Sequence, residues 1–62
     1  MKSNFIELTS KSDGKKTLIN ILKIIKVIES SAKTCIFFNE DNPEYYEESY
    51  NTTIKLIKDC YL

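Results

Sequence analysis

The sequence predicts an α+β fold: a small, curled antiparallel sheet of short strands, partly open and barrel-like, with one C-terminal helix packed on it. Three observations carry this. The β-prone run Phe5-Ile6-Glu7-Leu8-Thr9 leads into a turn cluster ending in Asp13-Gly14. The run Thr34-Cys35-Ile36-Phe37-Phe38 is bounded on both sides by turn residues. Tyr50, Ile54, Ile57 and Tyr61 recur at steps of four, three and four, the spacing of one helix face.

Sixty-two residues suffice for a single small domain, residues 1–62. With 42% hydrophobic residues, one glycine and one proline, the composition is that of a globular chain and not of a disordered one. No apolar run approaches the roughly 20 residues of a membrane span. Taken in order, the first strand covers 4–9, and Gly14 accepts the positive φ of the following hairpin turn without steric cost. The second strand begins near Lys15.

Lys16 to Ser30 reads two ways. Leu18, Ile21, Leu22, Ile25 and Ile28 fit the stripe of a four-turn helix. Ile19 and Ile24 fall off that stripe, and the β-branched cluster Ile24-Ile25-Lys26-Val27-Ile28 suits a strand. Periodicity alone leaves the choice open.

Ser30-Ser31-Ala32-Lys33 forms a turn before the Thr34–Phe38 strand, which sets Ile36 and Phe38 on one face and Cys35 and Phe37 on the other. Asn39-Glu40-Asp41-Asn42-Pro43 is an acidic loop closed by the proline, which holds Asn42 out of the helical region. Glu44-Tyr45-Tyr46-Glu47 returns as an extended partner, with its tyrosine doublet expected opposite Phe37-Phe38. Ser49 supplies a helix N-cap hydroxyl. Glu47 and Glu48 before the helix, and Lys55 and Lys58 along it, suit the macrodipole.

In this order of signals the chain resembles the FlbD-like family of short bacterial proteins. The residues concerned are Phe5-Ile6-Glu7-Leu8-Thr9, Asp13-Gly14-Lys15, Leu18-Ile19-Asn20, Ile24-Ile25 through Ile28-Glu29, the Thr34–Phe38 strand, and Tyr45-Tyr46 before Glu48-Ser49. Some members are encoded among flagellar genes, and others occur in bacteria and phages without that link. The resemblance spans roughly residues 5–57. It departs where Asn39-Glu40-Asp41-Asn42-Pro43 replaces the family's usual Asn-Gly hairpin. It implies two strands, 16–20 and 24–29, joined by a tight turn around Ile21-Leu22-Lys23, and hence about five strands in all. It implies no catalytic residues. Residues 17–57 also resemble the first half of a LytTR DNA-binding domain, through Val27-Ile28-Glu29-Ser30 and a helix opening at Ser49. The base-contacting second half of that family has no counterpart here, so that likeness implies a shared hairpin pattern only.

Several chemistries are excluded on residue types. The chain has no histidine, the commonest general base and metal ligand. Cys35 and Cys60 form no Cys-x-x-Cys pair, so a tetrahedral metal site lacks ligands. Neither a cofactor site nor a catalytic residue is expected, and the chain reads as non-enzymatic. The adjacent acids Glu40-Asp41 and Glu47-Glu48 read as solvated surface charge. Ser12-Asp13-Gly14-Lys15-Lys16 lacks the glycines of a phosphate-cradling loop. No signal-type apolar stretch follows Met1, so the expected location is cytoplasmic, with reduced thiols packed as small hydrophobes and Asn51-Thr52-Thr53 a coincidental sequon.

The remaining signals concern assembly. So short a chain buries only about 60% of its unfolded surface. One helix covers one face of a sheet, while strand residues on both faces are apolar. The surplus either curls the sheet into a small barrel or is covered by a second copy, and the favoured expectation is self-association as a dimer or tetramer. The expected interface residues are Phe37, Tyr45, Tyr46, Ile25 and Val27. Seven lysines stand against three acids in residues 1–33, and two against six in the remainder. That asymmetry suggests a basic face of Lys11, Lys15, Lys16, Lys23 and Lys26, for which the alternative use is DNA binding by a small regulatory module. Zero net charge and the absence of arginine argue against nucleic acid. The basic half of one copy meeting the acidic loop of another fits better. The expected role is a cytoplasmic protein-interaction or regulatory module.

Overall fold

A computed structural model describes residues 4–61 of the chain, with the side chain of Tyr61 outside the described set. Five strands and one helix follow in the predicted order: β1 (Phe5–Thr9), β2 (Lys16–Asn20), a 3-10 turn (Ile21–Lys23), β3 (Lys26–Ser30), β4 (Lys33–Phe37), β5 (Pro43–Tyr46) and α1 (Tyr50–Tyr61). Lys16 to Ser30 is therefore two strands. Asn20 caps the intervening turn, its side-chain oxygen accepting the Leu22 N–H at 3.0 Å. The second strand starts two residues later than expected, because Ile24 closes the turn by donating its N–H to the Ile21 carbonyl at 3.2 Å.

The strands form two antiparallel ladders, β1-β2 and β3-β4-β5. A seam joins them. Ser10 bridges Tyr46, the Lys11 N–H donates to the Tyr45 carbonyl at 3.0 Å, and the Glu47 N–H donates to the Thr9 carbonyl at 2.9 Å. The end of β1 thus runs beside β5, giving the spatial sequence β2, β1, β5, β4, β3. The 3-10 turn spans the gap between β2 and β3, so the curl stays open.

Turn chemistry sets the registers. Gly14 sits at φ 71° as expected, and the Asp13 carboxylate accepts the Lys15 N–H at 3.0 Å. Between β3 and β4 the expected four-residue turn contracts to Ser31-Ala32, at φ 49° and 66°. Both central residues of such a two-residue hairpin are left-handed so that its twist matches the strands. Ile28 is thereby paired with Cys35, and Lys26 with Phe37. In the next hairpin Cys35 faces Tyr45, Thr34 faces Tyr46, and Phe37 faces Pro43. The aromatic doublets do not oppose each other as expected, since the Asn39–Asn42 loop, folded on the Asn39 side-chain Oδ1, which accepts the Asp41 and Asn42 N–H groups, places the proline opposite Phe37.

Ile6, Leu8, Ile19, Ile21, Ile36 and Tyr46 form the core. Helix α1 closes it, packing against β1, β3 and β4. Ser49 caps the helix, its Oγ accepting the Thr52 N–H at 3.2 Å. The buried face of α1 differs from the expected stripe. Thr53 is fully buried; Ile57 packs on the core as expected, joined by Leu56 and Cys60, whereas Tyr50 and Ile54, half-buried like these three, lie outside that cluster. The helix is rotated because Thr53 is drawn in by a hydroxyl partner, Thr34 of β4, at 3.1 Å.

Candidate functional site

Alternation along β3, β4 and β5 gives their sheet two unlike faces. Val27, Thr34, Ile36 and Tyr46 point towards the core and α1. Lys26, Ile28, Cys35, Phe37, Pro43 and Tyr45 lie on the opposite face, away from α1. There Ile28, Cys35 and Tyr45 form one cross-strand row, and Lys26, Phe37 and Pro43 the next. Cys35 is only 5% exposed between neighbours that remain open, Ile28 at 41% and Tyr45 at 46%. The Lys26 ammonium sits 4.6 Å from the Phe37 ring centroid, a cation–π contact that partly covers that ring. A second apolar zone lies on the outer face of β1-β2 and the segment after it: Phe5, Leu18, Leu22 and Ile25 are all exposed.

Of the expected interface residues, Tyr45 and Ile25 are exposed and Phe37 is half-buried on the outer face. The other two are corrected. Tyr46 is a core residue at 4% exposure, since its register opposite Thr34 turns it inward. Val27, opposite the fully buried Ile36, packs against the core as well. Ile28, Leu18 and Pro43 escaped sequence reasoning. The signal for Ile28 lay in Ser31-Ala32: a two-residue turn there dictates the Ile28–Cys35 pair.

The five lysines are all exposed. Lys11, Lys15 and Lys16 surround the β1-β2 turn. Lys23 lies past the other end of β2, about 16 Å along a five-residue strand. Lys26 is engaged with Phe37. The five lysines are thus spread along β2 and beyond it and are not gathered in one cluster.

Of the two acid pairs, Glu47-Glu48 is not merely solvated charge: it serves structure. Glu47 pairs with Lys33 at 2.7 Å. The Glu48 carboxylate accepts the Thr9 N–H at 2.8 Å and the Thr9 hydroxyl at 2.9 Å. Burial pushes the Glu48 carboxyl up, but the Thr9 N–H and hydroxyl, its own N–H and nearby Lys16 outweigh burial and hold it below the ordinary 4.5. A carboxyl depressed on folding stabilises the fold above its unfolded pKa, and that contribution is lost as pH falls through the folded value. The difference in urea midpoint between the parent and Glu48→Gln should therefore shrink on acidification below 4.5. A difference unchanged with pH would refute this role. The Tyr46 hydroxyl is pushed up by burial and then by Glu44, so it stays protonated.

Cys35 and Cys60 are both free. Cys35 belongs to the outer face of β4 and Cys60 packs on the core from α1, so β4 itself separates them. Among the described residues no group of three or more His, Cys, Asp or Glu side chains is arranged to hold a metal ion, and no helix is long and apolar enough to cross a membrane. No protein-family model, curated protein or solved structure matches the chain.

Proposed function

We propose that this chain is a non-enzymatic, cytoplasmic protein-interaction module that acts by self-association, as a dimer or tetramer, and by presenting the assembled surface to a protein partner. The observation that carries the reading is the α1-free face of β3-β4-β5. Ile28 and Tyr45 stand open there, and the one α-helix among the described residues is already committed to the other face. Tyrosine suits such a place, since it offers a large apolar surface with few torsions to immobilise. Lys26 over Phe37 adds a cationic rim. The resemblance to the FlbD-like family, which implies no reaction, agrees with a binding role.

Sedimentation equilibrium tests the reading. The expected species at micromolar concentration is a multiple of 7.2 kDa. Tyr45→Asp places a charge at the centre of the face and should weaken association about tenfold or more, with unchanged far-UV circular dichroism. A chain that stays at 7.2 kDa throughout the micromolar range overturns the proposal.

A further inference from the structure

The seam between β1 and β5 stops one bond short. Ser10 bridges Tyr46, which sets Lys11 beside Tyr45, and the Lys11 N–H donates to the Tyr45 carbonyl at 3.0 Å. A complete antiparallel pair would return a bond from the Tyr45 N–H to the Lys11 carbonyl. Instead the chain leaves into the β1-β2 turn, where the Gly14 N–H reaches the Ser10 carbonyl at 2.9 Å. In a strand each residue directs its N–H and C=O to one side, and its neighbours direct theirs to the other. Tyr45 and, two residues earlier, Pro43 therefore turn theirs away from β4, into the space that β1 vacates. Among the described residues neither the Tyr45 N–H nor the Pro43 carbonyl has a hydrogen-bond partner. A groove of about 470 Å³ fills that space, lined by Lys11, Ser12, Pro43, Glu44 and Tyr45. Glu44 pairs with Ile36 on the α1-facing side of β5, where its charge acts on the Tyr46 hydroxyl. Lys11 is exposed and shares the outer face with Tyr45.

We infer that this groove receives the carboxyl terminus of a partner protein's extended chain. The last residue lies parallel to β5. Its N–H donates to the Pro43 carbonyl, one carboxylate oxygen accepts the Tyr45 N–H, and the other oxygen meets the Lys11 ammonium. The inference rests on the partner-binding part of the reading above and names the partner's chemistry; it does not require self-association. Backbone, sterics and charge each select a chain end. The free acceptor and donor stand two residues apart on one strand, which a single extended residue of a parallel strand satisfies at once. Past Tyr45 the Ser10–Lys11 segment already occupies the edge of β5, so a visiting chain running that way must stop there. At that closed end stands Lys11, a cation where a terminus places its anion. At the open end, beyond Pro43, stand the exposed Glu40 and Asp41. They suit basic residues upstream of the terminus, and this order of charges fixes the direction of the chain. The side chain before the last falls on the outer face, against Pro43 and Tyr45, and is therefore apolar.

The experiment follows the Tyr45 amide of the full chain in nitrogen-15 correlation spectra. The probes are acetyl-Lys-Lys-X-Val peptides, with X taken as Val, Leu, Phe and Tyr, each bearing either a free or an amidated terminus. They are titrated to about 5 mM, enough to detect a dissociation constant near 1 mM. At least one free-carboxylate peptide should shift the Tyr45 amide saturably, and its amidated form should bind about tenfold more weakly or worse. Lys11→Met should cost about tenfold at low salt and less at high salt. Lys23→Met removes the same charge past the far end of β2 and should leave the constant unchanged. An amidated peptide ending in Glu carries its carboxylate on a side chain and should not substitute for the terminus. A Tyr45 amide that none of the peptides moves overturns the inference. So do equal constants for acid and amide, equal constants for the two lysine variants, or full binding by the Glu-ended amide. Sedimentation equilibrium on the same samples keeps the two readings apart. A monomer that binds the free carboxylate removes self-association and leaves this site standing, and a multimer whose Tyr45 amide stays in place does the reverse.

Discussion

Leu8→Ala is expected to remove most of the chain's folding free energy, leaving a largely unfolded protein in dilute urea. Leu8 is fully buried and sits in β1 opposite Thr17, within an apolar cluster of six buried side chains among the described residues. Truncating a buried leucine costs about 2–5 kcal/mol through lost transfer energy and the cavity left behind. A core in a domain this small rarely supplies more than about 3–5 kcal/mol. The loss is thus comparable with the whole. It also falls on β1, the strand that carries both the hairpin and the seam to β5. Leu18→Ala is the matched control. It makes the same chemical change on the neighbouring strand at 67% exposure, and should shift stability by no more than about 0.5 kcal/mol. Urea titrations at one fixed protein concentration, followed by circular dichroism, read both, since association adds to apparent stability. Equal midpoints for Leu8→Ala and the parent would contradict the assignment of Leu8 to the core.

Much of this architecture is legible in the sequence because its signals are local. Gly14 at positive φ, the Ser49 cap and the β-prone runs at 5–9 and 34–38 each act within a few residues, and each element forms where they predict. Lys16 to Ser30 is the instructive ambiguity. A turn of three residues between two strands puts apolar side chains at spacings a helix would also produce, so periodicity could not separate the two. The faces were harder to read than the elements. Tyr45 and Tyr46 look alike in sequence, yet one is 46% exposed and the other 4%. Their fates depend on registers set by the Ser31-Ala32 turn and the Asn39–Asn42 loop. Neither contains the Asn-Gly signal that would have announced a tight hairpin. The seam was the least visible feature, because it brings Lys11 to the Tyr45 carbonyl across the two ladders and no local signal marks it.

That seam makes a second large effect predictable, at two buried threonines that no periodicity marks. Thr34 and Thr53 are both fully buried. Thr34 Oγ1 donates to the Glu48 carbonyl at 2.8 Å and lies 3.1 Å from Thr53 Oγ1. A hydroxyl has one hydrogen, and that of Thr34 is committed to Glu48, so Thr53 is the donor in the second bond. The two substitutions should therefore differ. Thr53→Val removes a donor and leaves Thr34 with its main partner, at a cost of about 1 kcal/mol. Thr34→Val strands both the Glu48 carbonyl and the Thr53 hydroxyl. Two buried polar groups without partners cost about 2–4 kcal/mol together. In the double variant the Thr53 hydroxyl is gone too, so it should be no less stable than Thr34→Val alone. Equal single effects that simply add would show that the hydroxyls do not act as a chain. The chain matters because Glu48 is gripped twice, by Thr34 at its carbonyl and by Thr9 at its carboxylate. One residue thus ties β1, β4 and the start of α1.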